Sequence, residues 1–154
     1  SFFHSLEFFG IHASIWAAFF VACNLTLGDS EIDIAPNGEI DPTNQTRRMT
    51  GHSQWVANVQ LSYDSSDSYH SATLVYNVFG ERIAYGGRGG LDDVYEKPFH
   101  SLDFTYTFFP TTSTTIKLKA KNILGETTEY EQQSYQVYAK DPGTEYTLQF
   151  SYEY

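Results

Sequence analysis

Five histidines, one cysteine, a pair of aspartates and a row of three lysines are the groups with which this chain could do chemistry. His4, His12, His52, His70 and His100 are scattered, with no helical or hairpin pairing of the metal-ligand type, and read as interface or loop residues. Asp92-Asp93 follows Gly86-Gly87-Arg88-Gly89-Gly90, a stretch that invites comparison with a phosphate cradle or a Ca²⁺ loop. It lacks the Lys-Ser/Thr pair of the first and the ligand spacing of the second. The stretch therefore reads as a flexible loop, with Arg88, Asp92 and Asp93 as candidate ligand contacts. Lys117, Lys119 and Lys121 recur at every second position and make a basic stripe on one face, suited to an anionic ligand or to pairing with Asp103. Cys23 is alone, which excludes an intrachain disulfide and a cysteine-based metal cluster. Asn44-Gln45-Thr46 matches a glycosylation acceptor, and nothing follows from it. With no Ser-His-Asp constellation, paired catalytic carboxylates or cofactor fingerprint, neither an enzyme nor a cofactor is expected.

The elements that must position these groups are strands. Rings make up 17% of the 154 residues while Met occurs once, a β-rich balance rather than that of a helical bundle. Period-two alternation, which sends every second side chain to one side of a sheet, sets Ala17, Phe19, Val21, Cys23, Leu25 and Leu27 on one face. The pattern returns in Trp55 to Tyr63, Ala72 to Val78, Leu102 to Phe108 and Ile116 to Ala120, and finally in Tyr146, Leu148, Phe150, Tyr152 and Tyr154. Six strands are expected, with a weaker seventh over Ser5 to Phe9 ahead of a turn around Gly10 to Ser14. The opposite series is polar: Asn58, Gln60, Asp103, the three lysines, Gln149 and Glu153.

The connections sort by length. Asp64 to Ser68 and Pro110 to Ser113 are tight turns, whereas Asp29 to Thr50, Glu81 to Phe99 and Gly125 to Gly143 are long, polar and acidic. Successive connections of an up-and-down sheet fall on opposite ends, so short turns mark one end and long loops the other, as in outer-membrane barrels. A ten-residue strand tilted by about 45° spans roughly 23 Å, close to the apolar band of such barrels. Aromatic residues flank an apolar middle, with Trp55 and Tyr63 around Ala57 to Leu61 and Tyr146 and Tyr152 around Leu148 and Phe150. Rings of this kind favour the two membrane interfaces. The longest apolar run, Ile15 to Cys23, is too short for a spanning helix. A formal charge of −10 argues against a nucleic-acid partner.

Four segments carry a family likeness: Arg47-Arg48-Met49-Thr50-Gly51 leading to Trp55; Tyr76-Asn77-Val78-Phe79-Gly80 with Arg82; Lys121-Asn122-Ile123-Leu124-Gly125; and the alternation that ends at Tyr154. In these the chain resembles the C-terminal barrel portion of a TonB-dependent outer-membrane receptor. The fold expected is therefore all-β, an antiparallel up-and-down transmembrane β-barrel segment of about six or seven strands out of roughly 22, incomplete as given, with residues 1–154 forming one part of the barrel domain. The family's plug domain and signal peptide are not seen. The resemblance implies barrel wall and extracellular loops for uptake of a nutrient such as a siderophore, cobalamin or glycan. It also implies residence in the outer membrane of a Gram-negative bacterium. The partners would be the lipid bilayer, the TonB complex through an N-terminal part, a small nutrient ligand, and the barrel-assembly machinery, for which Tyr146, Leu148, Phe150, Tyr152 and Tyr154 form the terminal signal. Two alternatives share the alternation: a small closed eight-stranded outer-membrane barrel with a structural or adhesive role, and a soluble β-sandwich binding module, which would interlock the apolar rings between two sheets.

Overall fold

The computed structural model describes residues 3–9, 17–34 and 43–154, with side chains for residues 18–34 and 43–154. These residues form thirteen strands: β1 (Phe3–Phe9), β2 (Ala17–Gly28), β3 (Ile32–Asp33), β4 (Thr46–Arg47), β5 (Trp55–Ser65), β6 (His70–Phe79), β7 (Arg82–Tyr85), β8 (Val94–Glu96), β9 (Phe99–Thr111), β10 (Thr114–Lys121), β11 (Thr128–Gln132), β12 (Tyr135–Lys140) and β13 (Glu145–Tyr152). The turn expected over Gly10 to Ser14 lies outside the described residues, as does His12.

Seven strands, β1-β2-β5-β6-β9-β10-β13, make one antiparallel meander, matching the six expected strands and the weaker seventh. The register keeps the apolar series together, because Phe19 faces Tyr63, Tyr63 faces Ala72, Ala72 faces Tyr106, Tyr106 faces Leu118 and Leu118 faces Leu148. Residues opposite one another in a ladder share a face, so the whole row points one way. The other face carries short polar side chains that bond to one another. Gln60 donates to Ser62 at 3.0 Å, Ser62 and Thr73 hydroxyls meet at 3.3 Å, and Ser101 donates to Asp103 at 2.9 Å.

The sheet is open, with β1 and β13 as its edges, so these residues do not build the small closed barrel. Among the described residues the rings are not interlocked between two sheets either, because Phe19, Val21, Leu61, Leu118, Leu148 and Phe150 of the apolar face are all exposed, Leu148 by 70%. Among the described residues only Val78 and Ile83 are buried hydrophobics.

The tight turns lie at one end. Ser68 adopts φ 61° there, and the Asp67 carboxylate accepts from Tyr69 N at 3.0 Å and from the Ser65 hydroxyl. Those two bonds, Ser65 first, hold its pKa below the usual aspartate range. At the other end the long connections contain strands that simple alternation does not announce. A four-stranded sheet, β12-β11-β8-β7, is built from two of them, and β3 pairs with β4 within the first.

Asn122 fastens the third long connection to the sheet. It sits at φ 50°, a left-handed position that asparagine tolerates. Its amide nitrogen donates to the carbonyls of Glu126 and Gly143 at 3.2 and 3.0 Å, its amide oxygen accepts from Glu126 N, and its backbone N–H donates to Asp103. Only 7% of the residue is exposed. Asn122→Ala removes three of these bonds and should destabilise the junction by about 1–3 kcal/mol. Limited proteolysis of the full-length protein should then cut residues 125–143 faster while the strands stay protected; unchanged cleavage would remove Asn122 from this role.

Candidate functional site

The loop end gathers most of the charge chemistry. Asp93, only 2% exposed, is clamped by Arg47 at 3.2 Å and accepts from Gly87 N at 2.7 Å. A Cβ at Gly86 would run into the Arg47 guanidinium, and one at Gly87 into the carbonyls of Leu91 and Asp92. The glycines thus let the chain close around the Asp93 carboxylate. Gly89 and Gly90 turn the chain at positive φ with Leu91 N bonded to Arg88 O at 3.1 Å, leaving the Arg88 side chain exposed at the tip. Thr43 donates to Leu91 O and Gln132 to Asp92 O, so all three long connections are tied together.

The four-stranded sheet has two distinct faces. On one, Tyr138 packs on Tyr130 at 5.5 Å, Tyr130 stands opposite Glu96, and Glu96 takes Arg82 in a two-pronged pair at 2.8 Å each. The guanidinium lies 4.2 Å from the Phe79 ring centre. Glu96 raises the Arg82 pKa above its usual value, so this guanidinium stays charged. Burial, with Glu96 nearby, pushes the Tyr130 phenol up.

On the opposite face Lys97 bridges Glu81 at 3.0 Å and Glu131 at 3.3 Å. These two residues, with Asp92, Tyr95 and Gln133, line a cleft of ≈ 240 Å³. Burial raises the Tyr95 phenol, reinforced by Asp92 and Asp93. Gln133 and Ser134 form the β11–β12 turn with φ 52° and 65°, a pair of left-handed conformations seldom given to side-chain-bearing residues.

Lys117, Lys119 and Lys121 stand on the polar face of β10, opposite Gln149, Thr147 and Glu145 of β13. None of the three makes an ion pair among the described residues, and Asp103 is taken by Ser101 and the Asn122 N–H. The candidate contacts are therefore separated: Asp92 and Asp93 belong to the loop cluster, Arg88 to an exposed tip and the lysines to the sheet. Arg47, Arg82, Glu96, Lys97, Glu81 and Glu131 received no role from sequence. Arg47 and Arg82 fall within the motif segments, which was the available signal. Of the histidines, His52 Nδ1 meets Ser30 Oγ at 3.0 Å, His70 Nδ1 meets Tyr106 at 2.7 Å and His100 Nδ1 meets Tyr76 at 2.6 Å. No group of three His, Cys, Asp or Glu side chains able to hold a metal occurs among the described residues.

The outermost rings of β5 and of the C-terminal alternation define two slanted lines, with Tyr76, Phe104, Tyr106, Phe150 and Tyr152 between them on the same face. Trp55 and Tyr63 lie eight residues apart on β5, as do Tyr146 and Tyr154 at the C-terminus. Tyr63 shares a row with Leu148, so the second pair is displaced by six residues along the strand direction. Six residues at ~3.4 Å over four strand spacings of ~4.8 Å give a slant of roughly 45°. Phe108, stacked on His70 at 5.0 Å, lies on the same line between Tyr63 and Tyr154.

No protein-family model matches the chain, and neither curated proteins nor solved structures yield a match.

The Lys97 bridge should make the loop end sensitive to alkali. Glu81 first and Glu131 second raise the Lys97 pKa above the ordinary 10.5. A raised cationic pKa contributes stability that is fully present below the ordinary value and is lost as pH rises through the folded one. Protection of residues 81–99 and 125–143, read as hydrogen exchange corrected for the intrinsic base-catalysed rate, should therefore fall as pH rises above 10.5, and Lys97→Met should abolish that step; a step that survives the substitution would assign it to another group.

Proposed function

We propose that this chain is wall and loops of an outer-membrane transport receptor of the TonB-dependent type, taking up a small nutrient. The observation that carries the reading is the uncovered apolar face of the seven-stranded sheet, whose outermost rings on β5 and at the C-terminal alternation are offset along a slant of roughly 45° to its strands. The uncovered face suits hydrocarbon, and the slant agrees with the 35–45° tilt of spanning strands. Between the lines, Val59, Leu61, Phe104 and Leu118 would meet lipid tails, while the lysines, Gln149 and Thr147 would face water inside the wall.

Strand parity supports an incomplete wall. Six antiparallel steps lead from β1 to β13, so the two edge strands run in the same direction. An all-antiparallel closure then needs an odd number of further strands between them. Left open in hydrocarbon, each unpaired edge group would cost several kcal/mol. The strands would be supplied by the remainder of the receptor, along with a plug on which the TonB complex acts. The exposed C-terminal alternation of β13 would be presented to the barrel-assembly machinery.

The test compares two neighbours on β13 within the full-length protein. Leu148→Arg, on the apolar face, should destabilise insertion by about 2–4 kcal/mol, while Gln149→Arg should cost far less. Folding titrations into vesicles, with fractionation of cells for the protein's location, measure both. Equal costs, or recovery in the soluble fraction, would overturn the reading.

A further inference from the structure

At the loop end of the polar face, Thr26, Val56 and Phe79 stand side by side in one ladder row. They floor a cavity of ≈ 370 Å³ walled by His52, Ser53 and Arg82. Its volume lies within the usual range for small-molecule sites. Arg82 is held there before any solute arrives: Glu96 occupies Nε and Nη2 at 2.8 Å each, and the Phe79 ring supports the guanidinium at 4.2 Å. The remaining nitrogen, Nη1, has two N–H donors and no acceptor among the described residues. A guanidinium fixed in this way loses little freedom on binding, and its bond to a negative oxygen is charge-assisted. The Ser53 hydroxyl adds a donor for a second oxygen, while the Thr26 hydroxyl is already spent on Asn24 Oδ1 at 3.2 Å. Val56 and the Phe79 edge offer apolar surface to the body of the solute.

We infer that this cavity binds a small carboxylate-bearing solute with an apolar body, the carboxylate on Arg82 Nη1. The inference deepens the receptor reading by naming a solute class, and rests on it for the cavity's place in uptake but not for binding itself. The test uses the full-length protein purified in detergent, with benzoate as the probe and benzamide as its uncharged counterpart. Calorimetric titration should give binding of benzoate at least about tenfold tighter than of benzamide, a difference of ~1.4 kcal/mol. Arg82→Gln should erase that difference. Val56→Trp, which fills the floor and leaves the Arg82–Glu96 pair in place, should abolish binding of both while far-UV circular dichroism stays unchanged. Equal binding of the two probes, no binding of benzoate, or indifference to Val56→Trp would overturn the inference. Cell fractionation separates the two proposals: benzoate binding by a protein found outside the outer membrane would remove the receptor and keep the site, and the converse result would do the opposite.

Discussion

An antiparallel ladder fixes its strands residue by residue, and a slip of one position would turn every side chain of a strand to the other face. The seven-stranded sheet depends on that constraint. Packing contributes little that could specify a register, because among the described residues of its strands only Val78 is a buried hydrophobic. What specifies the register is the difference between the two faces, rings and aliphatic side chains on one and mostly hydroxyls, amides and ammonium groups on the other, carried across the pairings with one shift, between Thr114 and Ile116 of β10.

The loop end is organised by charge and hydrogen bonding. There Asp93 and Glu96 are carboxylates withdrawn from water, and each is balanced by an arginine from a different stretch of chain. A buried carboxylate without such a partner would be expensive, which makes the arginines a condition for the loops to close. Both pairs bring together residues distant in sequence, 46 positions apart for Arg47 and Asp93 and 14 for Arg82 and Glu96. Away from this cluster, Asn122 ties the polar face of the sheet to the third long connection through Asp103, Glu126 and Gly143.

The strands of the large sheet were legible in sequence because alternation is a local signal and each runs for seven residues or more. Ile116 to Lys121 illustrates it, three apolar and three lysine positions in strict exchange. The slant of the ring lines was not legible, since it exists only once Tyr63 is known to share a row with Leu148. Nor were β7, β8, β11 and β12: they are three to six residues long, interrupted by bulges, and paired across gaps such as Tyr95 to Glu131. The glycines before Asp93 were read as slack in a loop. Their physical role is close approach, because side chains at Gly86 and Gly87 would occupy the space of the Arg47 guanidinium and of two carbonyls. Arg82 lay within a recognised motif, yet its partner could not be named from spacing.

The cross-bracing among the three long connections has a mechanical consequence. Thr43 grips the second connection at Leu91, Arg47 grips it at Asp93, and Gln132 of the third grips it at Asp92. The middle segment is therefore a shared keystone: lifting any one connection strains the grip of the other two. Displacing the middle segment would break contacts to both of its neighbours at once, so the three connections would loosen together and not one by one.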